Sequence, residues 1–472
     1  MSDSRIPVTI LGAGPAGLGA AYRLARREKF NVTVLERGGA VGGNAGSFDL
    51  AGMKVDYGSH RLHPSCAPEI LADLQRMLGN ELLDRPRHGR IRLHGKWVHF
   101  PLKSADLVSH LPPSFLAGIA WDSVAKLVPH KKADTFAAVL EAGLGKTICR
   151  DFYFPYARKI WGVDPESLDG EQARRRVSAG SLLKMVGKVL NAVPGIKRKG
   201  SGRFYYPQRG YGAISEAYGC AAVELGAKLR PLTSVAAVET SEGRVQAVRA
   251  IGPAGEEVIK AHYVLSTIPI AQLARLVQPA APEDVQKAAC ALKFRAMVLI
   301  YLVLKTDRFT EYDAHYFPDS DIMITRLSEP KHYGLAGVPG QTVLCAELPC
   351  SIHDEVWRAN DAELAKIVTA ALKTAQLPVR SPVVEVASRR LPQAYPIYSR
   401  DYRQHFERID QWVSRIDGLI TFGRQGLFAH DNTHHALAMA YALDRCLHDD
   451  GSFDQNHWEE YKQEFQKHVV ED

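Results

Sequence analysis

Three glycines near the start of the chain have the spacing of a loop that binds a phosphate group. They lie in Gly12-Ala-Gly14-Pro-Ala-Gly17, after the apolar residues 7–11 and at the start of helix-forming sequence, residues 16–29. In this pattern the first glycine permits a tight turn, the second lets the backbone approach a pyrophosphate, and the third lets helix and strand pack closely. The free N–H groups of the helix N-terminus then favour an anion.

A carboxylate follows the glycines at the spacing that a nucleotide ribose requires. Glu36 ends a second apolar run, residues 32–35, and lies 19 positions beyond Gly17. Its side chain could accept hydrogen bonds from the ribose hydroxyls of an adenosine. A glycine-rich turn that binds no nucleotide would not explain a carboxylate at the position of Glu36. The sequence therefore predicts a βαβ unit that binds a dinucleotide.

A second glycine loop and a polar segment follow Glu36. They are Arg37-Gly-Gly-Ala-Val-Gly42-Gly43-Asn44-Ala45 and Asp56-Tyr57-Gly58-Ser59-His60. Residues 7–64 resemble the large FAD-binding group that includes amine oxidases, protoporphyrinogen oxidase, phytoene desaturase and UDP-galactopyranose mutase. The resemblance implies FAD as the cofactor.

The end of the chain contains a second segment of this group. Gly423-Arg424-Gln-Gly426 precedes Asp431-Asn432-Thr433-His434-His435, and Asn432 or Asp431 can cap the helix that follows, residues 432–447. In the group this helix N-terminus points at the N1/C2 carbonyl region of the flavin. The group has Asp-Met or Asn-Met-Asp-His here, so a local carboxylate is missing or displaced in this chain. The resemblance assigns to FAD Gly12, Gly14, Ala16, Gly17, Glu36, Arg37, Gly43, Asn44, Gly58, Ser59, His60, Gly423, Arg424, Asn432 and Thr433.

Three further segments resemble UDP-galactopyranose mutase. They are Phe154-Pro-Tyr156-Ala-Arg158-Lys159-Ile-Trp161-Gly162, the Thr-Arg pair that ends at Arg326, and Tyr395-Pro-Ile-Tyr398. An arginine can bind a phosphate or carboxylate through two hydrogen bonds, and aromatic rings can stack on a base or sugar. We predict Arg326, His60 and Tyr395 as catalytic residues, and Tyr156, Trp161, Arg326, Tyr395 and Tyr398 as substrate-binding residues.

The resemblance leaves two chemistries open. In the first, the N5 atom of reduced FAD reacts with the anomeric carbon of a nucleotide sugar or related sugar phosphate, with no net redox change. In the second, FAD takes a hydride from a C–N or C–C bond, as in the protoporphyrinogen oxidase and amine oxidase types. A flavin-dependent binding protein is a third alternative. The mutase family's mobile-loop arginine has only loose candidates: Arg198, Arg203 and Arg209.

The order of elements predicts an α/β fold with interleaved lobes, and the resemblance implies that one of them is a Rossmann-like FAD domain of the glutathione-reductase type, interleaved with two other lobes. We expect FAD-domain parts at residues 1–75, 201–285 and 411–472, a mainly helical lobe at 76–200, and an antiparallel-sheet substrate domain at 286–410. Within that sheet, strands are expected at residues 296–304, 322–326 and 342–348.

Composition limits the partners. The chain has 472 residues, 46% of them apolar, and no apolar run long enough to span a bilayer. A net charge of +7 favours an anionic small-molecule substrate, and no nucleic-acid module is present. The seven scattered cysteines predict reduced thiols and no metal site. We expect a cytoplasmic enzyme. Two questions stay open: whether NADPH or a reductase donates electrons, and whether the basic run Lys197-Arg198-Lys199 makes peripheral membrane contact.

Overall fold

The computed structural model describes residues 5–100, 109–125, 134–176 and 202–470. The basic run Lys197-Arg198-Lys199, and with it the candidate Arg198, lies outside these residues.

A five-stranded parallel sheet forms the centre of the nucleotide-binding part. In spatial order its strands are Leu419–Thr421, Tyr263–Ser266, Ile6–Leu11, Phe30–Leu35 and Lys228–Arg230. The chain reaches this sheet in three separate stretches. The residues between those stretches must therefore form other parts of the molecule, which is the interleaving that the sequence predicts.

The turn after the first strand depends on two glycines. Gly12 has φ +99°, and a Cβ there would lie 2.6 Å from Oγ1 of Thr267. A Cβ on Gly17 would lie 2.0 Å from the carbonyl oxygen of Gly12. Helix Pro15–Ala25 therefore packs directly on the turn, as the spacing predicts.

A seven-stranded sheet lies beside the nucleotide-binding part. Its order is Val383–Ile397, Lys293–Leu304, Thr342–Cys350, Arg326–Ser328, Ala314–Tyr316, Gly89–Leu93 and Lys96–Phe100. Neighbouring strands are antiparallel except Ala314–Tyr316 with Gly89–Leu93. The expected strand at residues 322–326 is wrong, because pairing with the strand Thr342–Cys350 begins only at Arg326.

Two strands of this sheet come from the segment that we expected to be mainly helical. Gly89–Leu93 and Lys96–Phe100 form a hairpin whose two turn residues, His94 and Gly95, both have positive φ. Such a two-residue turn matches the twist of paired strands. Sheet pairing thus joins the predicted helical lobe, residues 76–200, to the predicted substrate domain, residues 286–410.

Smaller sheets and helices complete the fold. A four-stranded sheet has the order Gly255–Lys260, Arg244–Gly252, Ser234–Ser241 and Val277–Gln278. A hairpin pairs Ser47–Leu50 with Met53–Asp56, and the distant strands Leu82–Pro86 and Arg203–Pro207 form an antiparallel pair. The longer helices are Pro15–Ala25, Pro68–Leu78, Pro113–Ala125, Phe136–Leu144, Phe154–Trp161, Gly170–Arg176, Ala213–Glu224, Ile270–Leu276, Glu283–Ala291, Asp361–Thr374, Tyr402–Val413, Thr433–Cys446 and Gln455–Phe465. The predicted fold class is confirmed, while the exact domain boundaries stay a prediction.

Candidate active site

A cavity of about 860 Å³ lies at the carboxyl ends of the parallel strands and extends to the seven-stranded sheet. Ligands of open α/β sheets bind at this edge, outside the carboxyl ends of the strands. The glycine loops line one end of the cavity, and aromatic and arginine side chains line the other.

Glu36 holds the two glycine loops together at the nucleotide end. Its carboxylate accepts hydrogen bonds from the backbone N–H of Ala13 at 2.9 Å and of Gly38 at 2.7 Å. Gly42 donates to the carbonyl of Ala13 at 2.8 Å, so each loop is fixed against the other. Each carboxylate oxygen keeps a second lone pair, so Glu36 can still accept a ribose hydroxyl.

The space between the loops fits a pyrophosphate. A Cβ built on Gly14 would meet no atom within 4 Å, and it would point into the cavity at the N-terminus of helix Pro15–Ala25. Gly43, on the second loop, has its own Cβ position 3.6 Å from Cα of Gly14. The two loops therefore lie side by side around open space, with free N–H groups and the positive end of a helix facing it.

The adenine end includes residues that the sequence analysis did not assign to the cofactor. Val235, Ile268, Pro269 and Leu276 line the cavity beside Glu36. The N–H of Thr233 donates to the carbonyl of Glu36 at 2.8 Å, which brings strand Ser234–Ser241 to this end. These residues are distant from Glu36 in the sequence, so no local pattern identifies them.

At the opposite end, helix Thr433–Cys446 points its N-terminus at the cavity. Asn432 occupies the N-cap position, and its N–H donates to Nδ1 of His435 at 3.2 Å. A carboxylate is present one residue before Asn432, at Asp431, whose side chain is completely buried. Burial by itself would raise the pKa of Asp431. The nearby His468, His435 and Arg175 outweigh that effect and lower the pKa.

Arg326 does not present a free guanidinium, and the expectation that it grips a phosphate with two hydrogen bonds needs correction. Its Nε and Nη2 both donate to Oε1 of Glu347, at 2.9 and 2.6 Å. The Glu347 side chain is 4% exposed and also accepts the N–H of Ser59 at 3.0 Å. The sequence analysis missed Glu347, although a single charged residue in the buried strand Thr342–Cys350 is a usable signal.

His60 lies in the cavity wall in a neutral form. Its Nε2 donates to the carbonyl of Tyr57 at 2.8 Å, and its ring stacks on Tyr211 with centroids 5.2 Å apart. Burial lowers the pKa of His60, and the positive charge of Arg326 lowers it further. A second proton on this ring is therefore disfavoured near neutral pH.

An aromatic wall faces His60 and contains most of the predicted substrate residues. Tyr156, Trp161 and Tyr395 all line the cavity. Arg176, which the sequence analysis missed, lies over the rings of Trp161 and Tyr395, with its guanidinium carbon 5.5 and 5.3 Å from their centroids. Tyr395 also contacts Arg424, whose guanidinium carbon lies 5.5 Å from the ring centroid, and burial lowers the pKa of that arginine.

Some predicted residues do not reach the cavity. Tyr398 stacks on Tyr402 at 4.0 Å and donates to the carbonyl of Phe428 at 2.9 Å, so we remove it from the substrate residues. Gly17, Gly58 and Gly423 act behind the wall; a Cβ on Gly423 would lie 2.8 Å from that of Ala16. The lining residues among our predictions are Gly12, Gly14, Ala16, Glu36, Arg37, Gly43, Asn44, Ser59, His60, Tyr156, Trp161, Arg326, Tyr395, Arg424, Asn432 and Thr433.

Two of the loose arginine candidates lie on the surface. Arg203 donates to Asp84 at 2.9 Å and Arg209 to Glu81 at 2.8 Å, with both arginines more than half exposed. The seven cysteines are free thiols, five of them buried. Within the described residues, Asp431, His435 and His468 have ligand atoms within 4.8 Å of one another.

A family model for flavin-containing amine oxidoreductases matches residues 15–434. The chain belongs to this family. It is therefore an FAD-dependent, oxidoreductase-type flavoenzyme of the amine oxidase superfamily, and the predictions of FAD and of an enzyme are confirmed.

Solved structures with the same fold come from enzymes of different activities. The chain is similar to reduced UDP-galactopyranose mutase, with 18% identity, a TM-score of 0.76 and 93% of each chain covered. It is also similar to a protein assigned as a protoporphyrinogen oxidase from Exiguobacterium sp. 255-15, with 19% identity, a TM-score of 0.71 and coverage of 93% and 98%. A putrescine oxidase shares 15% identity at a TM-score of 0.66, with coverage of 93% and 98%. Among the described residues, no helix is both long and apolar enough to cross a membrane.

Proposed function

We propose that this flavoenzyme acts on an anionic sugar derivative, a nucleotide sugar or related sugar phosphate, with mutase-like chemistry. The observation that carries the proposal is Arg176, a cation held between two aromatic faces in the cavity wall. Its guanidinium lies over Trp161 and Tyr395. Aromatic faces suit a base or sugar ring, and an adjacent guanidinium suits the phosphate attached to it.

Two unpaired donors support the same substrate class. Within the described part of the chain, the indole Nε1 of Trp161 is buried without a hydrogen-bond partner, although Trp161 is only 4% exposed and lines the cavity. Nε of Arg176 is likewise buried and has no partner among residues 5–100, 109–125, 134–176 and 202–470. A buried donor without an acceptor costs about 1 to 3 kcal/mol, and an oxygen-rich ligand would relieve that cost at both positions.

The surrounding charges explain why Arg176 rather than Arg326 is assigned to the anion. The Nε–Nη2 edge of Arg326 is bound to Glu347, and the neighbouring Arg61 contacts Asp313 at 3.1 Å. Each of these two arginine–carboxylate pairs therefore has a net charge near zero. Arg176 has no carboxylate contact of this kind among the described residues, so it offers the substrate a net positive charge.

Bound FAD would supply the reactive N5 atom in its reduced form and a hydride acceptor in its oxidised form. In the mutase-like reaction the chain holds the sugar against the flavin and holds the phosphate by charge. Neutral His60 and the hydroxyl of Tyr395 are the polar groups that could orient the sugar. Burial raises the pKa of Tyr156 well above its usual value, so its hydroxyl stays protonated and can donate.

A second candidate is an oxidoreductase of the protoporphyrinogen oxidase or amine oxidase type. It is favoured by the pairing of Arg326 with Glu347, because that pairing neutralises a charge that a phosphate-containing substrate would otherwise use. A wall of Phe100, Phe152, Tyr153 and Tyr156 is largely apolar. It could hold a planar organic molecule whose C–N or C–C bond loses a hydride to FAD and a proton to solvent. In that case Arg176 would bind a carboxylate of the substrate.

Binding and turnover with UDP and UDP-sugars test the proposal. We expect UDP to perturb the flavin spectrum, and ring-isomerised product to form only after dithionite reduction. Replacing Arg176→Ala should weaken UDP binding at least tenfold, because a hydrogen bond to a charged group contributes about 1.5 to 3 kcal/mol. Arg174→Ala is the matched control, since Arg174 is on the same helix but half exposed beside Glu171. Oxygen uptake with amines or tetrapyrrole precursors, without UDP binding, would support the second candidate instead.

A further inference from the structure

The last described residues of the chain reach the active site. Residues 466–470, the tail segment, follow helix Gln455–Phe465 and run beside helix Gly170–Arg176. Val469 and Val470 line the cavity, and the N–H of Val470 donates to the carbonyl of Arg175 at 2.7 Å. The tail segment is therefore bonded to the residue that directly precedes Arg176.

His468 gives the tail segment a second attachment point. Its Nδ1 lies 3.5 Å from Oδ1 of the buried Asp431, and its ring stacks on His435 with centroids 4.2 Å apart. Nη1 of Arg175 lies 3.9 Å from the same Asp431 oxygen. Asp431 thus lies where three parts of the molecule meet: the tail segment, helix Thr433–Cys446 and the Arg175 side chain.

Helix Gly170–Arg176 is joined to the tail segment in its last described turn, because the carbonyl of Arg175 accepts the N–H of Val470. We infer that the tail segment is a positioning element, which holds the end of this helix so that Arg176 stays over Trp161 and Tyr395. This inference rests on the function proposed for Arg176.

One hydrogen bond can be removed with a matched control. Val470→Pro deletes the N–H that binds the Arg175 carbonyl, whereas Val470→Ala keeps it and shortens only the side chain. With the full-length FAD-loaded protein, we expect Val470→Pro to weaken UDP binding at least threefold and Val470→Ala less than twofold. FAD content should be unchanged in both, because neither substitution touches a glycine loop.

A double-mutant cycle asks whether the tail segment acts through Arg176. In an Arg176→Ala background, Val470→Pro should have no further effect on UDP binding, since the group that it positions is already gone. Full additivity of the two effects would overturn the inference. A loss of FAD on Val470→Pro would also overturn it, since the tail segment would then support the whole cavity.

Hydrogen exchange separates this inference from the proposed function. Val470→Pro should raise the exchange of amides in residues 170–176, and Val470→Ala should not. If exchange rises but neither Arg176→Ala nor Val470→Pro changes UDP binding, the positioning stands and the substrate assignment fails. Unchanged exchange refutes the positioning itself.

A bound metal is the alternative explanation for the contacts of His468, because Asp431, His435 and His468 have ligand spacing. We expect equal UDP binding before and after EDTA treatment. Loss on EDTA treatment and recovery with Zn²⁺ would overturn the account in which direct contacts hold the tail segment.

Discussion

Two alanine substitutions in the first glycine loop should separate cofactor binding from folding. A Cβ on Gly17 would lie 2.0 Å from the carbonyl oxygen of Gly12, far inside the 3.4 Å at which ordinary contact begins. A Cβ on Gly14 would meet nothing within 4 Å, and the Gly14 backbone, at φ −78° and ψ 178°, suits alanine. One substitution therefore forces the backbone apart, and the other fills the space for the pyrophosphate.

The two substitutions should change different quantities: Gly17→Ala the unfolding free energy, and Gly14→Ala the affinity for FAD. Overpacking costs about 1 to 3 kcal/mol, and a clash with a backbone carbonyl lies at the upper end of this range. Alanine's helix preference offsets about 1 kcal/mol of this cost. Gly17→Ala should thus lower the unfolding free energy of the FAD-free protein by about 2 kcal/mol. Gly14→Ala should change it by less than about 0.5 kcal/mol but weaken FAD binding at least 100-fold, about 2.7 kcal/mol.

Urea titration of deflavinated protein and FAD titration by flavin fluorescence measure the two quantities separately. The contrast between the variants is the internal control, because both change glycine to alanine within three residues of each other. If Gly14→Ala binds FAD as tightly as the unsubstituted protein, the pyrophosphate does not pass Gly14 and the cofactor assignment of this loop is refuted.

Three other predictions concern the carboxylates of Asp56, Glu347 and Glu36. Burial raises the pKa of Asp56 to about 6 from the usual 3.8, so between about pH 4 and pH 6 the native state holds a proton that the unfolded chain has lost. The unfolding free energy should therefore fall as pH rises through this window, by up to about 3 kcal/mol, and Asp56→Asn should flatten that slope in urea titrations. Glu347→Leu should lower the unfolding free energy by about 3 to 5 kcal/mol because it removes the buried carboxylate that accepts two hydrogen bonds from Arg326. The double variant with Arg326→Leu should recover most of the loss, and recovery of none would contradict the pairing. Glu36→Ala should weaken FAD binding at least tenfold in the same fluorescence titration, since a hydrogen bond to a charged group contributes about 1.5 to 3 kcal/mol; Glu36→Gln, which keeps one acceptor, should lose less.

The nucleotide end of the site was predictable because its signals are local. Gly12, Gly14, Gly17 and Glu36 all fall within one βαβ unit, where spacing along the chain fixes spacing in space. The Asn432 cap was predictable for the same reason. The hairpin within residues 89–100 was missed, although its His94-Gly95 turn is also a local feature.

The substrate end was only partly predictable. Arg326 and Tyr395 were found by resemblance, but the role expected of Arg326 changed because Glu347, 21 residues further on, pairs with it across two adjacent strands. Arg176 was missed because it is one of three consecutive arginines. Nothing in the sequence tells which of the three faces Trp161.

The sequence by itself determined the family, the α/β fold class and the cofactor, because glycine spacing, strand periodicity and a ribose carboxylate act over short stretches of chain. Only the tertiary structure decided which charges are neutralised and which face the cavity. That decision depends on residues far apart in sequence: Glu347 with Arg326, Asp431 with His468, and Val470 with Arg175. Electrostatics at a buried site depend on these distances in space, and strand register and helix packing set them after the chain has folded.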